Sequence, residues 1–558
     1  MAPRVVANVD ELFSLLNSSL RVCPNTSGLQ KFLPLDDLDK IITKDNFKAV
    51  LSRKDKYFKR QLPEVVVQRS KKVFAILVLI GRHAAMKDLL KEGISDEHLP
   101  LSRRERSKDK YNDNILLSAN PKAEFHTFAT LRHEPARFTD EFLEKQWVVQ
   151  APILDFTEKK WLGNPSVVEP EGKIDSRCPL PFLKMKDLVN ISATVVNEID
   201  LHPAHLRGFP VSSTLIRAIN YTDFRKAAKN KTPLTVAVKH FKRINDFNKE
   251  RVNLEKTGRL NNPNLIHHLA MYQQENFFCI MFPWADGGDL RQFWKERNST
   301  QRTPELTLWS LRQMLGLSSA LAVLHNKKIN CRHGDLKPDN ILHFSNDGEE
   351  SLVIADFGIS SFHANVTMMR AGITQSKATT PAYQAPEAGL VEKGARSRRY
   401  DIWSLGCIFL EFAIWLMYDV EAIHSFKYAR KDAPYRGFYD LTEDRTSAIV
   451  HPIVSQALND LRLDDRCKDD SENGEGKENL SAIGALLDLI EKHLLLADVN
   501  QRDTAEQVHT KLKEIVQKAE KHSSFLFRVD SASESAPIFR QDVPADFGEE
   551  PTAYTSTG

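Results

Sequence analysis

Cysteine is scarce in this chain, with six residues among 558 and no two of them at a short paired spacing. Zinc sites and disulfide-stapled domains both depend on closely paired cysteines, so neither is expected. Isolated thiols are typical of a reducing compartment, and we expect a cytoplasmic protein. The six are Cys23, Cys178, Cys279, Cys331, Cys407 and Cys467.

Long apolar runs and an excess of one charge are also missing. The longest apolar run, Val73 to Ile80, is far below the ~20 residues that a membrane-spanning helix needs, and the N-terminus carries no continuous apolar signal segment. The 77 basic and 74 acidic residues nearly cancel. We therefore expect neither a membrane nor a nucleic acid as a partner.

The first two hundred residues carry no motif with recognisable chemistry. Helical spacing predicts helices over Val9–Leu20 and over Asp36–Leu51, the second capped by Asp36. The apolar stretch Val65–Gly81 is compatible with either a buried helix or a buried strand. Prolines at 152, 165, 170, 179 and 181, in the stretch from Phe125 to Ile199, favour irregular structure. This region is either a regulatory or partner-binding module or a domain that merely covers part of the rest.

One short segment, residues 333–340, reads His-Gly-Asp-Leu-Lys-Pro-Asp-Asn. It places an acid, an amine and an amide within one loop, which is the equipment for phosphate transfer. Asp335 can orient and deprotonate a hydroxyl, Lys337 can neutralise charge on the phosphate in flight, and the Asn340 amide oxygen can hold a divalent cation. Asp356, at the end of an apolar run predicted to be a strand, adds the second group that a magnesium site needs.

These segments resemble a eukaryotic-type serine/threonine protein kinase. The patterns of that family are His-Arg-Asp-Leu-Lys-Pro-x-Asn and Asp-Phe-Gly, and the chain departs from them only in having Gly334 for arginine. Val-Ala-Val-Lys at 236–239 and Ala-Pro-Glu at 385–387 follow the family's order. Asp401 resembles the aspartate that ties down the catalytic loop, and Arg502 the arginine that pairs with Glu387.

The resemblance implies roles for residues around a nucleotide. Lys239 would grip the phosphates, with Glu250 on the following helix as its ion-pair partner and Ala237 leaving room for adenine. The Pro283 carbonyl and the Ala285 amide would read the adenine edge, with Leu342 beneath the ring. Asp289 would meet the ribose or, equally, cap a helix.

The family's phosphate-covering Gly-x-Gly-x-x-Gly loop is missing. The nearest frame, residues 208–215, keeps only Gly208 and puts Pro210 and Ser213 at the other glycine positions. Glycine lets a backbone approach an anion closely, whereas proline removes an amide donor. Three alternatives remain: weaker help from this loop, a wrong frame, or lost nucleotide binding.

Gly334 alters control more than chemistry. In the family, the arginine at this position pairs with a phosphorylated residue of the activation segment. Without it, activity should not require phosphate on Thr367, Thr374, Ser376 or Thr379.

The resemblance implies an α+β, bilobal kinase-like fold with a mostly helical N-terminal extension. The predicted parts are the extension (1–200), the kinase-like domain (205–520, with a small lobe at 205–283 and a large lobe at 287–520) and a disordered tail (522–558). Within the large lobe, residues 464–479 have the composition of a mobile insertion.

The implied function is ATP- and Mg²⁺-dependent phosphorylation of serine or threonine in a protein substrate. The missing glycines motivate the alternative of a pseudokinase that serves as a nucleotide-binding or scaffolding module. A small-molecule kinase is disfavoured, because residues 380–387 resemble a peptide-docking segment.

Overall fold

The computed structural model divides into two compact units. The first consists of Met1–Ser213, Tyr221–Phe247 and His268–Trp284, and the second of Thr214–Asn220, Asn248–His267 and Ala285–Gly558. The structure describes residues 5–544 except 26–27, 52–61, 105–113, 131–133, 170, 192–193, 209–226, 228, 299, 347–348, 357–360, 363–380, 391–396, 434–435, 468–479 and 527–535.

The first 150 residues pack eight helices around one apolar cluster, which extends from Val6 to Val149 and includes the fully buried Leu12, Phe74 and Phe128. Two small antiparallel sheets complete this part, β1–β2 (Arg21–Asn25, Gly28–Phe32) and β3–β4–β5 (Leu101–Arg103, Leu116–Ala119, Lys122–Phe125). The helices are Val9–Ser19, Leu35–Ile41, Lys44–Val50, Leu62–Arg69, Lys71–Leu79, Met86–Lys91, Thr127–Thr130 and Pro135–Lys145.

The predicted Asp36–Leu51 helix is broken, and the Val65–Gly81 stretch, compatible with a helix or a strand, forms two helices. Thr43 interrupts the predicted Asp36–Leu51 helix, because its backbone is extended and its side chain accepts a hydrogen bond from the Asn46 amide, which starts a second helix. Pro34, not Asp36, is the N-cap of the first half. The Val65–Gly81 stretch is helical but is divided at Ser70, where the backbone leaves the helical region.

A six-stranded sheet dominates the rest of the first unit. Its order is β8–β13–β14–β12–β10–β9, and all neighbours are antiparallel except β8 and β13. A second sheet has three strands in the order β11–β6–β7. The strands are β6 Ile153–Asp155, β7 Lys160–Leu162, β8 Lys173–Ile174, β9 Phe182–Ile191, β10 Thr194–Leu201, β11 Leu206–Arg207, β12 Leu234–Phe241, β13 Ala270–Gln274 and β14 Phe277–Pro283.

The prediction of irregular structure between 125 and 199 is wrong for β9 and β10, which form a long hairpin. β10 pairs with β12 from Thr194 opposite Phe241 to Leu201 opposite Leu234. The sheet that carries Lys239 therefore includes strands at 173–174 and 182–201, and the predicted domain boundary at 205 divides it. The prolines did not reveal these strands, because β10 is fixed by pairing with β12, about forty residues further along the chain, and β9 by pairing with β10.

The described residues of the second unit form eight helices and three two-stranded sheets. Helix Arg399–Met417 is apolar and long enough to cross a membrane by composition, but every residue of its apolar window is buried inside this unit. The helices are Ile244–Thr257, which begins in the first unit, Leu290–Glu296, Pro304–His325, Arg399–Met417, Val420–Ala429, Pro452–Leu463, Ala482–Leu489 and Ala505–Lys521.

Hydrogen-bonded strand pairs of the second unit frame its loops. The pairs are β15–β18 (Cys331–Arg332, Ser361–Phe362), β16–β17 (Ile341–Asn346, Glu349–Ile354) and β19–β20 (Tyr439–Leu441, Ala448–Val450). These make three two-stranded sheets in all within the described residues of the unit.

The segment after Lys521 is partly structured, in contrast to the predicted disorder. Ser523–Phe525 and Pro537–Phe539 each form a helical turn. Phe539 is buried, with its ring 5.1 Å from Tyr418 and 6.4 Å from Phe426. Apolar side chains in an otherwise polar tail therefore anchor it to the second unit. Most of the predicted insertion, residues 468–479, lies outside the described residues.

Candidate active site

The loop between β15 and β16 is held by Asp401, as predicted. The backbone N–H groups of His333 and Gly334 each donate to one carboxylate oxygen of Asp401, both at 2.8 Å. His325, at the end of helix Pro304–His325, contacts the same carboxylate through Nε2 at 2.8 Å. His325 was not predicted from the sequence, because its partner Asp401 is 76 residues away and no local pattern marks it.

Asp401 is fully buried in this arrangement. Burial by itself raises the pKa of its carboxyl, but the hydrogen bond from His325, the nearby histidine charges and the Gly334 N–H outweigh that effect and hold the pKa below its ordinary value. The carboxylate is therefore a fixed negative anchor for the loop. Gly334 has φ 87°, in the region that favours glycine.

The three predicted catalytic residues lie together. The Asn340 Nδ2 donates to the backbone oxygen of Asp335 at 2.7 Å and to its Oδ2 at 3.2 Å. Lys337 Nζ lies 3.7 Å from the same Oδ2. An amide and an ammonium therefore both border the Asp335 carboxylate, which favours its ionised form as a proton acceptor.

Asp356 follows β17, and its strand is joined directly to the loop. The Ala355 N–H donates to the Asn340 backbone oxygen at 2.9 Å, and the His333 Nε2 lies 2.9 Å from the Ala355 oxygen. Asp356 is exposed and has φ 61°, a left-handed conformation that few non-glycine residues adopt. The backbone of the site thus holds this carboxylate in a sparsely populated geometry.

These groups fit a magnesium ion by the chemistry of their donors. Because the Asn340 Nδ2 is turned toward Asp335, its carbonyl oxygen Oδ1 is turned away and can serve as a ligand. Mg²⁺ is held typically by one or two carboxylates together with the phosphates of its substrate, so Asn340 and Asp356 suffice as protein ligands. The Asp335 carboxylate remains for the acceptor hydroxyl.

Three further predicted residues of the second unit are Ala285, Asp289 and Leu342. Asp289 caps this helix through a hydrogen bond from the Gln292 N–H at 2.9 Å, so the capping alternative is confirmed. Its backbone forms a bridge with Leu342, which is half-buried on β16. The Ala285 carbonyl accepts from the Gly288 N–H at 3.1 Å. The adenine and ribose contacts remain predictions.

In the first unit, strand register supports the predicted nucleotide wall. On β12, Val236 and Val238 are buried while Ala237 and Lys239 alternate with them on the other face. Ala237 lies opposite Phe282, and Val236 opposite the buried Pro283, which ends β14. Phe282 therefore neighbours Ala237 across the sheet.

Glu250 belongs to helix Ile244–Thr257 and is buried, with 1% of its surface exposed, as is Leu254 one turn later. A carboxylate buried to this extent is paired in most proteins. Its pairing with Lys239 stays a prediction.

The loop frame at Gly208 is wrong. Gly208 follows β11, which pairs with β6 in the separate three-stranded sheet, and a Cβ at Gly208 would lie 2.1 Å from Asp155 Oδ1. A loop that covers phosphates near Lys239 must instead extend from strands beside β12, and the β9–β10 hairpin is so placed. That hairpin contains no glycine.

The predicted ion pair between Arg502 and Glu387 is confirmed. Arg502, fully buried, donates from Nη1 and Nη2 to the two oxygens of Glu387 at 3.0 and 2.8 Å. A second network that sequence reasoning missed joins Arg291 to Asp339 at 3.1 Å and to the Tyr383 hydroxyl at 2.9 Å. Tyr383 donates in turn to the buried Glu411 at 2.7 Å.

Some predicted residues lie outside the described part of the chain. They are the Asp-Phe-Gly phenylalanine Phe357, Thr367, Thr374, Ser376 and Thr379 of the activation segment, and residues 209–215 of the rejected loop frame.

Parts of this chain are similar in sequence to known protein kinases. The calcium/calmodulin-dependent protein kinase cmkA of Emericella nidulans is 34% identical over 176 residues, which are 31% of this chain and 39% of that protein. The calcium/calmodulin-dependent protein kinase type I of Schizosaccharomyces pombe is 27% identical over 234 residues, 38% of this chain and 66% of the relative. The serine/threonine-protein kinase ATG1b of Arabidopsis thaliana is 30% identical over 153 residues, 27% of this chain and 20% of the relative.

The chain thus spans 66% or less of the length of each of these relatives. A family model covers more: residues 220–512, over half of the chain, match the protein kinase domain. That segment contains Lys239, the catalytic loop, Asp356, Asp401 and Arg502. The chain belongs to the protein kinase family.

Proposed function

We propose that this protein is a serine/threonine protein kinase that transfers the γ-phosphoryl group of ATP to a protein hydroxyl with Mg²⁺. The proposal rests on the contacts of Asn340, which join the loop of Asp335 to the strand that precedes Asp356. Asn340 contacts Asp335 through its side chain and the Asp356 strand through its backbone oxygen. One asparagine thereby holds the acceptor site and the metal carboxylate in a fixed relationship.

In the proposed step, the Asp335 carboxylate orients the substrate hydroxyl and accepts its proton. The hydroxyl oxygen forms a bond to the γ-phosphorus while the bond from that phosphorus to the leaving oxygen breaks, which releases ADP. Lys337 neutralises charge on the phosphoryl group during transfer. Magnesium, held by Asn340 and Asp356, supplies electrostatic stabilisation of the phosphates when bound.

The proposed nucleotide contacts come from six residues. Lys239 holds the phosphates and Glu250 orients it. Ala237 leaves space for adenine, while the Pro283 carbonyl and the Ala285 amide pair with its edge. Leu342 lies beneath the ring. Support for this assignment comes from the β12–β14 register and from the match of residues 220–512 to the family.

The substrate class follows from Lys337, which lies two positions beyond Asp335 as in the serine/threonine kinases. The relatives compared here are serine/threonine or calcium/calmodulin-dependent protein kinases by name. We also propose a cytoplasmic location, which is supported by six buried thiols without a disulfide.

A pseudokinase scaffold is the second candidate, and one observation favours it. The β9–β10 hairpin, which lies beside the Lys239 strand, offers no glycine for close approach of its backbone to phosphates. Weakened phosphate binding would leave nucleotide binding or scaffolding as the remaining function.

One experiment separates the two candidates. Purified full-length protein is incubated with labelled ATP, Mg²⁺ and a generic protein substrate, beside Asp356→Ala and a control, Glu443→Ala, that removes an exposed carboxylate of the same unit. The kinase proposal predicts transfer by the wild type and by Glu443→Ala and its loss in Asp356→Ala. Nucleotide binding without transfer by the wild type would overturn it in favour of the scaffold.

A further inference from the structure

A cavity of about 390 Å³ lies in the first unit, within its first 165 residues. Its volume falls in the range of small-molecule sites. The exposed Glu97, Asn120, Pro121, Gly163 and Pro165 form its rim, and the buried Leu99, Gln150 and Ala151 lie at greater depth. No residue assigned to the kinase site lines it.

Two hydrogen-bond donors of the cavity have no partner among the described residues. Gln150 is 6% exposed, and its Nε2 makes no hydrogen bond there. Lys72 lines the same cavity and forms no ion pair within 4 Å in the described part of the chain. A buried polar group without a partner costs free energy, so such donors indicate a ligand or water that completes them.

Cys178 lies near both donors. The Cys178 thiol donates to the Gln150 backbone oxygen at 3.3 Å. The Lys72 charge is close enough to act on the pKa of the same thiol, which burial raises strongly. Lys72 and Gln150 both line the cavity.

Asp96, which also lines the cavity, does not neutralise Lys72 by contact. Its Oδ1 accepts from the Val73 N–H at 3.0 Å, at the start of helix Lys71–Leu79. Burial raises the pKa of Asp96 to about 6, although the helix amides and Lys72 oppose that effect. At neutral pH the Asp96 carboxylate is committed to the helix end. Burial lowers the pKa of Lys72, the Asp96 charge opposes that effect, and an anion bound in the cavity would favour the ammonium form.

Apolar side chains form another part of the wall. Leu35, Leu99, Ile153 and Leu162 line the cavity beside the two donors. An acidic head with a compact apolar body matches this combination of surfaces. One ammonium and one amide NH₂ suit the two oxygens and single charge of a carboxylate, whereas a phosphate dianion would meet repulsion from Asp96.

We propose that this cavity binds a small amphiphilic monocarboxylate, with its acid group on Lys72 and Gln150 and its hydrocarbon part against Leu35, Leu99 and Leu162. The lining also leads to the kinase sheet. The Asn164 oxygen accepts from the Val167 and Val168 amides, Val168 bridges to Ile174, and β8 pairs with β13. A ligand in the cavity would thus lie beside residues that connect to β8, a strand of the sheet that contains Lys239.

The test uses hexanoate as the probe, with hexanol and hexyl phosphate as comparison ligands, titrated calorimetrically into the full-length protein. A dissociation constant on the order of 1 mM is expected for a ligand of this size. Lys72→Met and Gln150→Leu should each weaken hexanoate binding about tenfold or more, because each removes a donor to a charged group. Lys91→Met, which changes an exposed lysine paired with Asp88, serves as the control.

A second measurement needs no variant and guards against misfolding. In methyl-labelled wild-type protein, nuclear Overhauser effects should connect the hexanoate chain to the methyl groups of Leu35 and Leu99. Equal binding by all variants, tighter binding of hexanol or hexyl phosphate, or no bound hexanoate would overturn the proposal. Loss of kinase activity would not bear on it, because the readouts are binding and contact alone.

Discussion

Gly334 donates its backbone N–H to the buried carboxylate of Asp401 at 2.8 Å while its own backbone has φ 87°. The position where the family carries arginine is therefore one where a left-handed backbone must meet a fixed acceptor. Glycine satisfies both requirements without strain, whereas an L-residue adopts this conformation only at a cost in free energy.

Substitution of Gly334 by alanine should destabilise the second unit. The left-handed backbone adds about 1–2 kcal/mol of strain for an L-residue, and the loop cannot relax without losing its bonds to Asp401. Urea unfolding of the full chain measures the change. Gly334→Asn, which tolerates this region better, should cost less than Gly334→Ala. Equal stability of Gly334→Ala and the wild type would contradict the strain argument.

Phosphatase treatment should leave most of the kinase activity intact. Without an arginine at position 334, the loop lacks the side chain that would pair with a phosphate on Thr367, Thr374, Ser376 or Thr379. We expect less than about a twofold change in transfer rate, since a phosphate without its arginine creates few ordering contacts. A loss of most activity that rephosphorylation restores would refute this interpretation.

The Glu387–Arg502 pair should be strongly coupled. Arg502→Met leaves a largely buried carboxylate without its partner and should lower the free energy of unfolding by about 3 kcal/mol. Glu387→Met combined with Arg502→Met should cost less than the sum of the single changes. Arg312→Met, which breaks an exposed pair with Glu520, should cost under about 1 kcal/mol. Strict additivity at the buried pair would exclude the predicted coupling.

His205 should make stability depend on pH in the acid range. Its Nε2 accepts from the Leu35 N–H at 3.3 Å and its Nδ1 donates to the Pro152 oxygen at 3.0 Å, and burial lowers its pKa to about 4. The stabilisation is complete above pH 6.5. As the pH falls toward 4, the unfolded chain gains a proton before the folded chain does, so the free energy of unfolding decreases.

The loss between pH 7 and pH 4.5 should be about 2.5 kcal/mol larger in the wild type than in His205→Gln, since each pKa unit corresponds to about 1.4 kcal/mol. Urea unfolding of both proteins at the two pH values tests this. His240, whose pKa burial also lowers to about 4, is present in both and cancels. Parallel pH profiles would show that His205 is not the group responsible.

The catalytic loop was predictable because its chemistry lies in eight consecutive residues, and Asp401 and Arg502 because each belongs to a recognisable motif. The β9–β10 hairpin was not, since strands at 182–201 are defined by pairing with β12 rather than by their own pattern. The breaks at Thr43 and Ser70 were missed because apolar periodicity continues across them, whereas local capping and backbone geometry end the helices. Anchoring of the tail by Phe539 depends on aromatic partners more than a hundred residues away.

The most direct measurement of the central claim is the transfer rate of Asp335→Asn at saturating ATP and Mg²⁺, together with its affinity for ATP. If Asp335 accepts the hydroxyl proton beside a metal site built on Asn340 and Asp356, kcat should fall by about 10²-fold or more while ATP affinity changes little. Glu443→Gln should match the wild type in both. An Asp335→Asn enzyme with unchanged kcat would contradict the account.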